Sequence, residues 1–172
     1  ALRRRGYQAV AIDVDASVQQ QLRAKKVQVV FLALHGPGGE DGTIQGLWEM
    51  FEVPYVGCDV VSSAVTMDKI RTKQYFAALG IPTPKFVFFE YWQWQKDRDA
   101  VLEKIQSDLS LPVFVKPASL GSSIAVTKAK TARELEAAVE VALHYDDRFL
   151  AEAAVENPQD ITCAVLGGSQ PR

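Results

Sequence analysis

Long apolar runs are missing from this 172-residue chain: the longest, Val27 to Leu34 around Gln28, falls far short of the roughly 20 residues that span a bilayer. A membrane segment is therefore not expected. An excess of positive charge is missing as well. The 19 lysines and arginines are nearly balanced by 21 acids, for a net charge of −2, so the basic footprint that neutralises a phosphate backbone is lacking and nucleic acid is not an expected partner. Cysteine is scarce. Cys58 and Cys163 stand far apart, without Cys-x-x-Cys spacing or a paired histidine nearby, which argues against a disulfide framework or a thiolate metal site. Reduced thiols in a cytoplasmic protein are the expectation. The sequence also shows no internal repeat, low-complexity tract or block of like charge. What is present is ordinary globular material, 48% hydrophobic, enough to bury a substantial core as one large domain or two small ones.

Ala1 to Gly6 reads as the end of a helix closed by a glycine C-cap, an opening without methionine that places the start inside a fold. Gln8 to Asp13 reads as a strand, Ser17 to Lys26 as a helix N-capped by Ser17, and Val27 to Leu34 as a near-continuous apolar strand. That order is βαβ. Strands buried on both faces of a parallel sheet have this character, and ligands of such sheets sit beyond the strands' carboxyl ends, where the His35 loop begins. Thr43 to Glu52 reads as a helix, Pro54 to Gly57 as a short return, and Val60 to Ala64 as a connector, so a first α/β domain closes near Thr66. From Asp68 a helix runs to Leu79, stopped by Gly80, Pro82 and Pro84, and Lys85 to Phe89 follows as a strand. Arg98 to Leu109 and Glu134 to His144 read as helices. Val113 to Lys116 and Ile124 to Thr127 read as hairpin partners across a glycine-containing loop. Phe149 to Ala154 and Ile161 to Leu166 read as strands, the last unpaired and followed by Gly167 to Arg172, an end that reads as cut.

Two loops stand out chemically. His35-Gly36-Pro37-Gly38-Gly39-Glu40-Asp41-Gly42 places four glycines in eight residues between a buried strand and a helix, so backbone amides could approach an anionic or zwitterionic small molecule. His35 would sit at the strand tip, with Glu40 and Asp41 near the helix start. Taken alone, the loop reads first as a tight turn in which Asp41 is an N-cap. Lys116 ends an apolar strand, where an ammonium is costly unless an anion meets it, and Gly121, Ser122 and Ser123 behind it could fold over phosphate oxygens. This is neither a Walker A loop nor a dinucleotide fingerprint, because it joins two strands. A polar hairpin tip with a snorkelling lysine fits equally well.

Three further residues carry weaker signals. Lys69 lies in the first turn of its helix, where a cation opposes the dipole unless it serves an anion, although taken singly a plain surface lysine is the favoured account. Glu152 is the lone carboxylate of an apolar strand and could bind an amino group on a base, or stand at an exposed edge. Asp160 could accept from ribose hydroxyls, or belong to an Asn157-Pro158-Gln159-Asp160 turn.

In order, HGPGGEDGTIQG (His35 to Gly46), PYVG (Pro54 to Gly57), MDK (Met67 to Lys69), GIPTP (Gly80 to Pro84), LPVFVKPASLGSS (Leu111 to Ser123) and the Glu152 strand leading to CAVLG resemble the D-alanine:D-alanine ligase family of the ATP-grasp superfamily, across nearly the whole chain. The resemblance implies a Rossmann-like, parallel-sheet N-terminal α/β substrate-binding domain over residues 1–66. Residues 67–172 would be the first, α+β part of an ATP-grasp domain, running into a truncated remainder. It implies joining of two D-alanines with ATP through an acyl phosphate, for peptidoglycan precursors, with magnesium and a possible homodimer. His35 would line the first D-alanine site, Ser122 would orient that substrate as a catalytic residue, and Lys69, Lys116 and Ser123 would hold phosphates. Glu152 and the backbone at Val155 would meet adenine, and Asp160 ribose.

Three positions depart from the family pattern. Ala125 stands where glycine is usual, Asp160 where glutamate is usual, and Ala153 where a lysine is common. The family's ammonium-binding glutamate would precede Ala1, and its magnesium-binding acids, transition-state arginine and second lid would follow Arg172, so no metal ligand is assigned. The 172-residue chain alone is expected to be inactive. Alternatives are a D-alanine:D-lactate or D-alanine:D-serine ligase, or a nucleotide-binding remnant without catalysis; a biotin carboxylase type is disfavoured by the His35 loop.

Overall fold

Val18 and Leu22 lie four residues apart, as do Ile44 and Trp48, so each pair faces one side of a helix. In the computed structural model, which describes residues 1–168, these four form one core with Ile12, Val30, Leu32, Leu47 and Tyr55 packed against them. The chain divides into two units: residues 1–72 with 119–122, and residues 73–118 with the chain from Ser123 onward.

The first unit holds helix α1 (Val18–Ala24), strand β1 (Val30–Phe31), helix α2 (Thr43–Met50), strand β2 (Tyr55–Val56) and helix α3 (Val60–Met67). β1 and β2 pair in parallel, with Val30 opposite Tyr55. The stretch read as a connector at Val60 to Ala64 is helical instead. Asp59 caps it, accepting from the Ser62 N–H at 2.7 Å, a local signal at the position where N-caps act. Ser17 makes no side-chain cap on α1; Asp15 takes that place by accepting from the Ser17 backbone N–H at 2.7 Å and its hydroxyl at 2.6 Å. The expected first strand, Gln8 to Asp13, forms no ladder. Carbonyls there are bonded by side chains: Arg3 donates to Ala9 O at 2.8 Å and Lys25 to Ala11 O at 3.3 Å. Arg3–Arg5 is a single 3₁₀ turn, closed as expected by Gly6 in the left-handed region at φ 85°.

Helix α4 (Lys69–Ala78) leads to the second unit, which contains β3 (Phe86–Glu90), α5 (Tyr91–Lys96), α6 (Arg98–Leu109), β4 (Val113–Pro117), β5 (Thr127–Ala129), α7 (Ala132–Tyr145) and β6 (Arg148–Ala153). Its sheet is antiparallel, in the order β3-β6-β4-β5. Val113 and Val115 alternate with Phe114 and Lys116 along β4, so the valines enter the core and the other pair stands on the opposite face. Val101, Ile105 and Leu109 of α6 and Leu135, Ala138, Val139 and Ala142 of α7 cover the valine face at helical spacing. Asp97 and Thr131 cap these helices, accepting from the N–H groups of Ala100 at 3.0 Å and Glu134 at 3.2 Å.

The parallel α/β unit followed by an α+β unit is the fold class expected. Two strands differ. The partner of β4 begins at Thr127 rather than Ile124, so the intervening loop is longer than expected. Ile161 to Leu166 is irregular and exposed, since no strand ladder takes up its backbone groups among the described residues. The Tyr91–Lys96 helix was not expected; Glu90 and Gln93 form its capping box. Residues 169–172, read as part of a cut end, lie outside the described residues.

Candidate functional site

β6 lies between β3 and β4, with Glu152 opposite Phe86 on one side and Phe114 on the other. Residues directly opposite share a sheet face, so Glu152, Phe86, Phe114 and Lys116 stand on the face that α6 and α7 leave uncovered. The edge-strand account of Glu152 is thereby corrected: it is on a central strand, with its side chain 13% exposed. Lys116 Nζ donates to Glu152 Oε1, and Lys73 Nζ sits 2.9 Å from Oε2. Burial pushes the Glu152 carboxyl up, but the hydrogen bonds and charges of the two ammoniums outweigh it and hold the group below the ordinary glutamate value. Lys116 thus meets an anion within its own unit, which answers why an ammonium ends an apolar strand.

Lys73 was missed in the sequence. It is 7% exposed, donates to Thr83 Oγ1 at 2.7 Å and lies 5.0 Å from the centre of the Phe86 ring. A signal existed: Lys73 follows Ile70 by three residues, and Ile70 is buried, so both fall on one stripe of α4. Val155 and Asp160 lie beyond β6 in irregular, exposed chain, and Ser123 is exposed at φ 57°.

In the first unit the glycine-rich loop bonds to itself. The Gly36 N–H donates to Glu40 Oε2 at 2.6 Å, and Asp41 accepts from Gly38 N at 2.7 Å and Thr43 N at 3.0 Å. Two of the amides expected to face a ligand are therefore held by the loop's own carboxylates. Burial raises the Asp41 carboxyl, yet the Gly38 and Thr43 amides hold it below its usual range. Gly42, not Asp41, occupies the N-cap of α2, at φ 91°, and a Cβ there would stand 2.7 Å from Val60 O. Asp41 serves the same helix end from one residue earlier. Gln45, 4% exposed, fastens the loop by donating to Gly39 O at 3.2 Å.

His35 is largely exposed, with Nδ1 4.0 Å from Glu40 Oε1. Lys69 donates to Leu120 O. Residues 119–122 belong to this unit, where a Cβ on Gly121 would stand 3.7 Å from Glu40 Oε2, so the loop ending at Ser122 lies beside the His35 loop. Ser122 is exposed at φ 53°. A shallow cleft between α1 and the end of α2, lined by Gln19, Leu22, Arg23, Met50, Phe51 and Glu52, shares no residue with these sets. Among the described residues, no three His, Cys, Asp or Glu side chains are grouped to hold a metal ion, and no helix is long and apolar enough to cross a membrane.

Comparison with known proteins gives concordant matches. The sequence model of the D-ala D-ala ligase N-terminus matches residues 5–58, and that of the D-ala D-ala ligase C-terminus matches residues 75–172. A D-alanine–D-alanine ligase of Acetivibrio thermocellus is 46% identical over 149 residues, which is 87% of this chain and 39% of the relative. The structure of the D-alanine-D-alanine ligase from Coxiella burnetii superposes with a TM-score of 0.76 at 38% identity, covering 84% of this chain and 42% of that one. The VanG D-Ala:D-Ser ligase of Enterococcus faecalis superposes with a TM-score of 0.68 at 40% identity, over 76% of this chain and 37% of that one. The chain thus spans well under half the length of these three relatives.

Proposed function

Because the chain belongs to the D-alanine–D-alanine ligase family, we propose that its protein uses ATP to join two D-alanines into D-alanyl-D-alanine for peptidoglycan precursors. One observation carries this reading: two successive segments, 5–58 and 75–172, match the two ends of one ligase in order. Residues 1–66 act as the N-terminal substrate-binding domain, and residues 67–172 as central ATP-grasp subdomain running into further ATP-grasp sequence. The same reading makes the protein a cytoplasmic homodimer.

The γ-phosphate of ATP passes to the carboxylate of one D-alanine, and the amine of the second displaces phosphate from the resulting acyl phosphate. His35 lines the first D-alanine site and Ser122 orients that substrate. Lys69, Lys116 and Ser123 hold phosphate oxygens; Glu152 accepts from the adenine amino group, the Val155 backbone meets the ring, and Asp160 accepts from ribose. An ammonium and a carboxylate side by side on one sheet face suit a phosphate and a base amine. Fixed cations and hydroxyls supply positioning and charge stabilisation as charge develops on the transferred phosphoryl group. Magnesium would neutralise phosphate charge in such a reaction. Among the described residues no three His, Cys, Asp or Glu side chains are grouped to hold it.

The test is phosphate release by the full-length protein with D-alanine, D-lactate or D-serine as second substrate. D-Alanine is expected to be preferred, and Lys116→Ala to lower turnover at least about a hundredfold, a loss in the range seen when one transition-state donor is removed. Unchanged turnover in that variant would sink the phosphate assignment, and preference for D-serine would move the protein to the activity named for the Enterococcus faecalis relative.

A further inference from the structure

A lysine is almost never as buried as Lys73 unless it is paired, and the reaction above gives this one no task. Its pairing is also redundant. Glu152 carries one negative charge, yet two ammoniums bracket it, Lys116 on Oε1 and Lys73 on Oε2 at 2.9 Å. Either cation alone would neutralise the carboxylate. The two differ in how they are held. Lys73 is fixed by Thr83 Oγ1 at 2.7 Å and by the Phe86 face at 5.0 Å, with its side chain 8% exposed. Lys116 has its side chain 23% exposed, with the Phe114 ring 5.7 Å away. The deeper lysine has a hydroxyl partner as well as the carboxylate, and the shallower one stands closer to solvent.

If Lys116 turns to phosphate oxygens it loosens its hold on Glu152, and a largely buried carboxylate left with no counter-ion would pull it back. We propose that Lys73 is a positioning residue that stays on Glu152 as its permanent counter-ion, so that Lys116 is released to the nucleotide's phosphates while Glu152 keeps its charge and its aim. This rests on the nucleotide reading given above and adds to it the residue that makes the exchange affordable. It also gives the GIPTP segment a purpose, since Thr83 supplies the hydroxyl that locks Lys73.

The test compares ATP with adenosine, which lacks the phosphates, by calorimetric titration of the full-length protein and its Lys73→Met, Lys73→Arg and Thr83→Val variants, together with KM for ATP and kcat. With Lys116 recaptured by Glu152, Lys73→Met is expected to weaken ATP binding and raise KM for ATP about tenfold, while adenosine affinity changes less than about threefold. Lys73→Arg, which keeps a cation, is expected to stay within about threefold of the parent for both ligands. Equal losses for ATP and adenosine in Lys73→Met, or no loss for either, would overturn the proposal, because a merely structural lysine does not distinguish phosphates. Should near-UV circular dichroism show Lys73→Met unfolded, Thr83→Val decides: a loss of about threefold confined to ATP supports the proposal, and none overturns it. A parent protein that binds neither ligand overturns the nucleotide reading itself, and the proposal with it.

Discussion

At the scale of single residues, the Glu152 carboxylate concentrates the electrostatics of the second unit. Its carboxyl is held below the ordinary value of 4.5, so the unfolded chain takes up the proton first as pH falls. The stabilisation is therefore complete above about pH 4.5 and is lost as pH drops through the lowered folded-state value. Glu152→Gln leaves Lys73 and Lys116 without their anion and is expected to cost on the order of 3 kcal/mol at neutral pH. Urea denaturation should show that difference from the parent shrinking as pH falls below about 4.5; an undiminished gap would mean that the ion pairs are not its source. Lys116 and Glu152 were legible in the sequence as isolated ions in apolar strands. Their pairing was not, and Lys73 was missed outright, because burial of a lysine depends on a carboxylate and a hydroxyl that only folding brings to it.

Among the elements, helices were the more legible, for a local reason. The spacing of Val101, Ile105 and Leu109 marks α6 from Arg98 to Leu109 without reference to any other part of the chain. Strands need a partner to accept their hydrogen bonds. Gln8 to Asp13 and Ile161 to Leu166 have strand-like composition and no ladder among the described residues. The loop between β4 and β5 shows the same limit from the other side. Its span beyond Ile124 includes Ala125 at φ 56°, a left-handed conformation that disfavours a Cβ, at the position where the resembled family usually has glycine. Ala125→Gly is expected to stabilise the protein by about 1 kcal/mol, read as a raised urea midpoint at unchanged slope. A lowered midpoint would mean that the loop does not hold this conformation in solution.

For the whole molecule, the chain spans 39% of the Acetivibrio thermocellus relative, and among the described residues no three His, Cys, Asp or Glu side chains are grouped to hold a metal ion. The 172-residue chain by itself is expected to form no dipeptide from D-alanine, ATP and magnesium, checked by chromatography of the products; D-alanyl-D-alanine above background would overturn this. The sequence by itself determined the family, the α/β then α+β order and five of the seven described α-helices, because glycine-rich turns, caps and apolar periodicity act between near neighbours. Tertiary structure alone decided the rest. It put Glu152 on a central strand and joined it to two lysines. Those contacts unite residues far apart in the chain, and a charge in an apolar strand announces that it needs a partner without saying which one it will meet.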